Sequence, residues 1–323
     1  MSPFTMPPST MSPSTGVSNG TDGPKDPEWL ASLSPENAAC IRRLLSSPAP
    51  PSFNHVPKRK QAAVAVILYE SNTSPTELRV IMSTRALHLR SHPGQASLPG
   101  GKVDSADSSL VETALRESVE EIALATSEAV WLHTGYPFLS KMGLVVHPVV
   151  FLLKNGAELL PRLRASPSEV SDIWSTSLSV FLSSIASSGQ LSDPKSVDKH
   201  RPPQEAFRTY TDIPWLGGNY RLHRFRSSHQ LIKGLTADVL ISVAQKAYGV
   251  KAKYRVEAEG QKTWEQMVEG VIQRYNKEQG RIERRWGDGE SGDVQGSSEA
   301  YETFIGFDDE GDGVLVVEET MDT

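Results

Sequence analysis

Three glutamates in one short stretch, Glu117, Glu120 and Glu121, are the side chains in this sequence best suited to chemistry. Positions i, i+3 and i+4 of a helix fall within roughly 100° of arc, so the three carboxylates would share one face. They would repel one another strongly unless cations lay among them. Hard oxygen ligands of this kind suit Mg²⁺ or Mn²⁺, held by a few carboxylates together with substrate phosphates. The spacing therefore predicts a divalent-metal site that acts on a diphosphate.

Two local elements must position these glutamates. A helix is predicted over residues 109–121, with an apolar side that can be buried while the carboxylates face outward. Just before it, Pro99-Gly100-Gly101 predicts a sharp turn that lets backbone approach a ligand closely. The apolar side consists of Val111, Leu115, Val119 and Ile122.

This run resembles the Nudix box, whose general pattern is G-x5-E-x7-R-E-U-x-E-E-x-G-U with U apolar. The matching residues are Gly101, Arg116, Glu117, Glu120, Glu121 and Leu124. The run departs from the pattern at Ser118, where an apolar residue is usual, and at Ala123, where glycine is usual. Ala123 should matter less, because it follows the predicted metal ligands and this position tolerates a small residue if its backbone stays in an ordinary region. The isolated first glutamate is absent, with Asp107 and Ser108 in its neighbourhood.

The spacer before Arg116 has fourteen residues where the general pattern has thirteen, and this is a feature of the coenzyme A diphosphatase subfamily. The second signature of that subfamily, LLTxR[SA]x3Rx3Gx3FPGG, resembles residues 81–101. Both arginines and every glycine keep their places, while Ile, Met, Ser and Leu replace Leu, Leu, Thr and Phe. Residues 145–150 resemble the V-x-P-V-V strand, and residues 234–237 read G-L-T-A, although Lys233 stands where tryptophan is common.

The resemblance implies metal-dependent hydrolysis of the diphosphate in coenzyme A or acyl-CoA, giving 3′,5′-ADP and an (acyl-)4′-phosphopantetheine. Two alternatives stay open. One is a Nudix hydrolase of another nucleoside diphosphate, such as NADH, ADP-ribose or capped RNA. The other is a catalytically silent module that binds a nucleotide or a protein, which Ser118 and Ala123 would permit.

The resemblance also assigns roles to residues. Glu117, Glu120 and Glu121 would hold Mg²⁺ or Mn²⁺, and Arg116 would orient these glutamates. Glu169 is a candidate general base, with a solvated glutamate at a strand edge as the equal alternative. The expected substrate contacts are Arg85, Arg90, Gly94, Gln95, Gly100 and Gly101.

The fold implied is α/β (α+β), with a mixed β-sheet sandwiched between helices and the metal site on a loop-helix-loop. We predict a disordered segment over 1–33, a Nudix domain over 34–253 with an insertion at about 185–217, an appended amphipathic helix over 254–286 and an acidic, disordered tail over 287–323. Apolar residues from Trp264 to Tyr275 recur with helical spacing, so this helix should pack on the domain. Helices are predicted over 35–45, 178–184 and 231–248, and strands over 62–69, 78–83, 130–134, 145–153, 169–174 and 220–225.

Composition narrows the class of protein. Mean hydropathy is −0.35, and no apolar run approaches the roughly 18 residues of a membrane span. The single cysteine, Cys40, excludes an internal disulfide and is expected to be buried. Residues 287–323 hold twelve Asp or Glu and no Lys or Arg, so residues 1–286 carry +6 within a total of −6. A mildly basic catalytic portion favours an anionic small-molecule substrate.

No membrane or nucleic-acid partner is expected, and the sequence leaves the oligomeric state open. The first 24 residues lack the charged and apolar regions of a secretory signal and the arginines of a mitochondrial presequence. We expect an intracellular protein. A peroxisomal or mitochondrial location follows from analogy with the family only.

Overall fold

A computed structural model describes residues 26–73, 76–185 and 206–287 of the chain, with side chains up to residue 277. Of the predicted segments, residues 1–25, most of the insertion and nearly all of the acidic tail lie outside these ranges. Within the described ranges, six α-helices and eleven strands follow one another in this order: α1 (Glu28–Ala31), α2 (Pro35–Leu45), β1 (Gln61–Glu70), β2 (Leu78–Arg85), β3 (Ala96–Ser97), β4 (Gly100–Lys102), α3 (Leu110–Ile122), β5 (Ala129–Thr134), β6 (Phe138–Leu139), β7 (Val145–Leu153), α4 (Gly156–Leu159), β8 (Val170–Ser177), β9 (Arg208–Trp215), β10 (Gly218–Phe225), β11 (Ile232–Lys233), α5 (Gly234–Tyr248) and α6 (Trp264–Gly287).

The main sheet has eight strands with the path β3-β2-β1-β7-β5. Strand β4 also pairs with β1, β6 with β7, and β8 with β2. Only β1 and β7 run parallel among these pairs, so the sheet is mixed. A second, antiparallel sheet has the order β11-β10-β9.

Helices cover both faces of the main sheet. All nine residues of β7 are buried, which is expected of a strand with packed side chains above and below it. Alternate residues of β1 contribute to two separate apolar clusters. Ala63 and Ile67 pack with α3, whereas Val66 and Leu68 pack with α2 and α5. The predicted mixed sheet between helices is confirmed.

The predicted helix at residues 35–45 is confirmed as α2. Ser34 is its N-cap, with Oγ accepting from the Asn37 N–H at 3.4 Å, and Pro35 occupies the first turn. Glu70, at the end of β1, accepts from Ser34 N–H at 2.8 Å and from Asn37 Nδ2 at 2.6 Å. Cys40 is buried, as expected.

Four predicted bounds were wrong. Residues 26–33, placed in a disordered segment, contain α1, whose Leu30 is fully buried. The supposed insertion contains β9, an edge strand with one buried residue and therefore no apolar alternation in its sequence. The helix predicted over 231–248 begins at Gly234 because Ile232–Lys233 pair with β10 as β11. The appended helix predicted over 254–286 begins at Trp264. The segment over 178–184 forms a 3-10 helix at Leu178–Leu182.

The appended helix α6 packs on the domain as predicted. Its apolar stripe is buried against residues from the segment before β1 and from the β6–β7 region. Tyr275 Oη donates to the Gly143 carbonyl at 2.5 Å. The residues of this contact are Met267, Val268, Val271, Ile272 and Tyr275 with Phe53, Val56, Leu139 and Val145. In the part of the chain described, no helix is long and apolar enough to cross a membrane. The division into domains at the stated bounds stays a prediction.

Candidate functional site

The glycine turn brings the backbone of β4 against β1. A Cβ on Gly100 would lie 2.4 Å from the Ala63 carbonyl oxygen and 2.7 Å from Val64 Cα. These contacts are with backbone, which cannot move aside, so only glycine fits. The Pro99 carbonyl accepts from the Ala65 N–H at 2.7 Å, and Gly101 pairs with Ala63.

Gly101 leaves room for a carboxylate. A Cβ at this position would lie 2.4 Å from Glu117 Oε1 and 2.6 Å from its carboxyl carbon. The absence of a side chain at Gly101 therefore lets the Glu117 carboxylate lie directly on the backbone of β4. Gly101 acts on the site through Glu117, in addition to any contact with substrate.

Helix α3 is capped at its N-terminus by a reciprocal pair of contacts. Ser109 Oγ accepts from the Glu112 N–H at 3.2 Å. Glu112 Oε2 in turn accepts from Ser108 N–H at 2.7 Å and from Ser108 Oγ at 2.5 Å. A capping arrangement of this type fixes where the helix starts, and so where Glu117 and Glu121 lie along it.

The two departures at Ser118 and Ala123 have different structural outcomes. Ser118 is fully buried, and its Oγ donates to the Ala114 carbonyl at 2.6 Å, so the hydroxyl is satisfied within the helix. Ala123 ends the helix with φ 53° and ψ 41°. The condition under which Ala123 was expected to be tolerated, an ordinary backbone, is therefore not met. The left-handed conformation costs an alanine roughly 1–2 kcal/mol, whereas glycine adopts it freely.

Arg116 contacts two of the three glutamates, and its implied role of orienting them requires such contacts. Its guanidinium donates to Asp107 through Nε to Oδ1 at 3.0 Å and Nη2 to Oδ2 at 2.9 Å. Nη1 donates to Glu117 Oε1 at 2.8 Å and to Glu120 Oε2 at 3.2 Å. Nη2 also donates to the Lys102 carbonyl at 3.1 Å. One side chain thus joins the loop after β4 to two of the three glutamates.

Asp107 is a site residue that the sequence reasoning missed. It is buried, and it also accepts from the Asp104 N–H and from Thr113 Oγ1, both at 2.8 Å. Hydrogen bonds from Arg116 lower the pKa of Asp107 to about 2. Its position in the neighbourhood of the missing first glutamate of the box was the available signal.

Glu121 carries a buried oxygen with no hydrogen-bond partner. Burial, together with the negative charges of Glu117 and Glu169, raises the pKa of Glu121 to about 8. The Gly100 N–H and the positive charge of Arg85 lower it by smaller amounts. Burial also raises the pKa of Glu117, against the lowering contribution of Arg116.

Glu169 approaches the helix because the preceding segment binds the end of α3. The Arg164 N–H donates to the Ile122 carbonyl at 3.1 Å and the Ser166 N–H to the Glu121 carbonyl at 2.9 Å. The Glu169 carbonyl accepts from the Ala86 N–H at 2.9 Å, which ties it to the end of β2. The structure therefore brings Glu169, an exposed residue, near Glu117 and Glu121.

The donor set fits a divalent cation. Among the described side chains, which end at residue 277, no three His, Cys, Asp or Glu are arranged as a metal-binding group, and Arg116 contacts both Glu117 and Glu120. Nevertheless, Oε2 of Glu121 is buried without a hydrogen-bond partner. Its carboxyl group can therefore be ionised at neutral pH only if a positive charge lies close to it. Glu117 and Glu121, with Glu120 on the more exposed side, supply the hard oxygen ligands that Mg²⁺ or Mn²⁺ takes.

Four of the predicted substrate residues lie at the end of β2 and on the loop that follows it. Arg85, at the end of β2, lies close enough to Glu121 to affect its pKa, and its Nε donates to the Ser91 carbonyl at 3.2 Å. Arg90 is exposed on the loop between β2 and β3. Gly94 has φ 69°, and its N–H donates to the Arg85 carbonyl at 3.0 Å. The Gln95 carbonyl accepts from the Arg85 N–H at 3.0 Å, so Gly94 and Gln95 shape the loop around Arg85.

Comparisons with known proteins found a matching family and several similar proteins. The NUDIX domain family model matches residues 59–185. Nudix hydrolase NudL of Photorhabdus laumondii is 30% identical over 201 residues, covering 62% of this chain and 91% of that protein. The mitochondrial Nudix hydrolase 15 of Arabidopsis thaliana is 33% identical over 195 residues, covering 59% of this chain. The match spans 60% of the length of Nudix hydrolase 15 and 56% of that of the chloroplastic Nudix hydrolase 22. A Caenorhabditis elegans Ap4A hydrolase structure is 17% identical with a TM-score of 0.30, covering 36% of this chain and 80% of that one.

Proposed function

Because the chain belongs to the Nudix hydrolase family, we propose that it uses Mg²⁺ or Mn²⁺ to hydrolyse the diphosphate of coenzyme A or acyl-CoA. The products are 3′,5′-ADP and 4′-phosphopantetheine or its acyl derivative. The observation that carries the metal-dependent reaction is the convergence of Glu117, Glu121 and Glu169 around a buried, unpartnered carboxylate oxygen. A mitochondrial location is supported by the plant relative, whose name gives that compartment.

The choice of substrate is supported by residues 81–101. Arg85 lies between the Gly94–Gln95 turn and the acidic face of α3, where a guanidinium fork would bind phosphate oxygens. The longer spacer before Arg116 accommodates the Asp104–Asp107 turn, which binds Arg116 from the opposite side. These contacts link the residues that resemble the subfamily signatures to the acidic face of α3, which supports the proposed substrate.

Hydrolysis adds water across the P–O–P bridge. The oxygen of water bonds to one phosphorus, and the bridging oxygen leaves on the other phosphate. Bound divalent cations supply charge neutralisation on the phosphate oxygens and a more acidic water. Glu117, Glu120 and Glu121 are the residues that would hold these cations. Glu169 is the proposed base, since its side chain is exposed, its charge acts on Glu121, and a carboxylate can accept the proton of water.

In this proposal Arg116 holds the metal-ligating glutamates in place, and the residues of the loop between β2 and β3 bind substrate. Arg116 keeps Glu117 against Gly101 while Asp107 fixes the guanidinium. Arg85 would orient the diphosphate, with Arg90 reaching it from the exposed loop. Gly100 and Gly101 keep the backbone of β4 free of side chains that would block this approach.

Ser118 and Ala123, the two departures that permitted a catalytically silent module, no longer favour that alternative. Ser118 is satisfied by Ala114 and leaves the helix intact, and Ala123 adopts the same backbone that glycine would. Neither residue alters the acidic face. Another nucleoside diphosphate, such as NADH, ADP-ribose or capped RNA, stays the alternative substrate.

The test is hydrolysis of coenzyme A with and without Mg²⁺ or Mn²⁺, with products resolved by chromatography. We expect metal-dependent release of 3′,5′-ADP, abolished by Glu120→Gln or Glu121→Gln. Glu112→Gln is the matched control, because this glutamate lies on the same helix and glutamine also serves in its capping role. Folded, metal-supplied protein that turns over neither coenzyme A nor its thioesters would contradict the substrate, and NADH and ADP-ribose would be tested next.

A further inference from the structure

A lysine and a histidine outside the acidic face contact each other through their side-chain nitrogens. Lys246, in the last turn of α5, has its Nζ 3.0 Å from Nε2 of His133 on β5. His133 is buried and Lys246 is half-buried, so the contact lies between the helix and the main sheet while the lysine stays partly open to solvent. Neither residue has a part in the proposed hydrolysis.

A bulge in β5 directs His133 to this contact. Trp131 pairs with Phe151 of β7, whereas His133 pairs with Val150, so the register shifts between them. In a regular strand residues two apart share a face, and His133 would lie on the side of the exposed Trp131. The shift places it instead beside Val150, on the face of the sheet that α2 and α5 cover. Bulges re-aim a side chain in this way and are over-represented next to functional positions.

The contact between Lys246 and His133 can form whether or not the lysine is charged. An ammonium at Nζ donates to Nε2 of a neutral imidazole, and an uncharged amine accepts from the Nε2–H of the other tautomer. Burial lowers the pKa of Lys246, and burial together with the positive charge of Lys246 lowers the pKa of His133 to about 4. The imidazole is therefore neutral at pH 7, and loss of the lysine proton costs no hydrogen bond.

The surroundings of the pair contain no acidic group that holds the lysine in its charged form. Among the described residues, no carboxylate contributes to the pKa of either Lys246 or His133. Helix α2 brings Arg43 to this end of α5, where its Nη1 donates to a backbone carbonyl at 3.1 Å and lies 3.9 Å from the Cys40 sulfur. Opposite His133, β7 contributes the apolar Val150. A desolvated lysine without an anionic partner has the character of a nucleophile.

We propose that Lys246 is a modification site at which acyl thioesters acylate Nζ, with His133 holding the amine and accepting its proton. A C–N bond forms between Nζ and the acyl carbonyl carbon, and the C–S bond to the thiol breaks. The proton that leaves the nitrogen passes through His133 Nε2 to the departing thiolate. The product amide keeps one N–H that donates to Nε2. Acyl-coenzyme A is the donor named because it is a substrate in the proposed function, and that identity rests on the proposed function.

The experiment compares acetylation of Lys246 with that of Lys251, an exposed lysine just after α5. The full chain is incubated with acetyl-coenzyme A or with an acetyl thioester that lacks a nucleotide. A chelator is present so that metal-dependent hydrolysis does not consume the donor. Mass spectrometry of the peptides gives the initial rate of acetylation at each lysine between pH 7 and pH 10.

We expect the ratio of the rate at Lys246 to the rate at Lys251 to fall by about tenfold or more as pH rises over this range. A desolvated amine is already partly uncharged at the lower pH, whereas an exposed lysine loses its proton only near pH 10. Shielding of Lys246 from the donor would lower the ratio equally at every pH. A ratio that does not change with pH would therefore overturn the inference.

Substitutions at His133 test its part in the reaction. His133→Phe keeps the ring and removes both nitrogens, so Lys246 loses its hydrogen bond and turns to solvent, and the ratio should lose most of its dependence on pH. His133→Gln keeps a hydrogen-bonding side chain and should retain part of that dependence. Trp131→Phe, which changes an exposed ring on the same strand, is the matched control and should behave as the wild type. An unchanged pH profile in His133→Phe would contradict the role of His133.

A parallel assay of coenzyme A hydrolysis with Mg²⁺ or Mn²⁺ distinguishes failure of this inference from failure of the proposed function. Acetylation of Lys246 with the expected pH profile, but without release of 3′,5′-ADP, contradicts the proposed function alone. Release of 3′,5′-ADP together with a ratio that is constant in pH for both donors contradicts the inference alone. Release of 3′,5′-ADP together with the expected profile for both donors supports both.

Discussion

Asp107 and Arg116 are joined by two nearly parallel hydrogen bonds, at 3.0 Å and 2.9 Å, and a further donor of the same guanidinium reaches Glu117 at 2.8 Å. A buried carboxylate in the loop before α3 thus sets the position of a proposed metal ligand within the helix. The geometry is of the bidentate kind, which combines strength with directional control.

Replacing Asp107 with Asn should therefore affect both stability and activity. The guanidinium of Arg116 loses its charged partner, so the free energy of unfolding should fall by about 1–3 kcal/mol. kcat/KM should fall by about tenfold to a hundredfold because Glu117 is less well placed. Denaturant unfolding and steady-state kinetics measure the two effects. Asp104→Asn is the control, since this exposed side chain only accepts local hydrogen bonds. Loss of stability with full activity would mean that Arg116 holds Glu117 without help from Asp107.

The Asp107–Arg116 pair also predicts that the free energy of unfolding falls in acid. Asp107 has its pKa lowered from 3.8 to about 2, so its stabilising contribution is complete above the unfolded value and is lost as pH falls toward 2. That contribution is about 2 kcal/mol at neutral pH. Urea unfolding at pH 5 and pH 2.5 should show a smaller decrease for Asp107→Asn than for the wild type. Equal decreases in the two proteins would show that Asp107 is not responsible.

Gly101→Ala should disable the site while the fold persists. The added Cβ would meet the Glu117 carboxylate, a side chain that can shift, at 2.4 Å. A displacement of about 1 Å at a catalytic group can reduce the rate by about a hundredfold. The measurements are kcat and the melting temperature. Gly270→Ala, in a helix and with nothing within 4 Å of the added Cβ, is the control and should be fully active. An active Gly101→Ala would show that Glu117 need not touch β4.

Ala123→Gly should stabilise the protein. The native φ of 53° is unfavourable for alanine and freely adopted by glycine, so the expected gain is about 1 kcal/mol after the entropy of the unfolded chain is counted. Chemical denaturation measures it. Ala125→Gly is the matched control, because Ala125 has an ordinary φ of −75° and should lose stability on the same change. A destabilised Ala123→Gly would mean that contacts of the alanine methyl outweigh the strain.

Metal binding should appear in stability as well as in catalysis. Mg²⁺ that binds only the folded state raises the free energy of unfolding, by about 2.7 kcal/mol at one hundred times its Kd. Glu121→Gln should reduce this increase, because it removes the charge on the buried oxygen. Melting curves with a chelator and with added Mg²⁺ measure the difference, with Glu112→Gln as control. An undiminished response in Glu121→Gln would place the cation elsewhere.

Much of the fold follows from local pattern, and the misses have physical causes. β1 and β7 are continuous apolar runs, and α2 and α3 carry capping serines, so each was recognisable from its own residues. Strand β9 was not, because an edge strand with few buried residues lacks apolar alternation. Helix α1 is too short to show a period, and only the burial of Leu30 reveals its role.

The site shows the same division between local and long-range information. The spacing of Arg116, Glu117, Glu120 and Glu121 is a property of one helix. The contact of Asp107 with Arg116, and the approach of Glu169 to Glu121, depend on how separate segments pack. The left-handed backbone at Ala123 could not be predicted from its own residue, because alanine, unlike glycine, does not indicate that conformation.

The packing of α6 has a consequence for biosynthesis. This helix covers Phe53 and Val145, which precede it by more than a hundred residues, and Tyr275 completes the contact. A chain emerging from the ribosome exposes that apolar surface until residues beyond 275 have been translated. During this interval the nascent protein is exposed to aggregation and to chaperone binding, so the docking of α6 determines when that exposure ends.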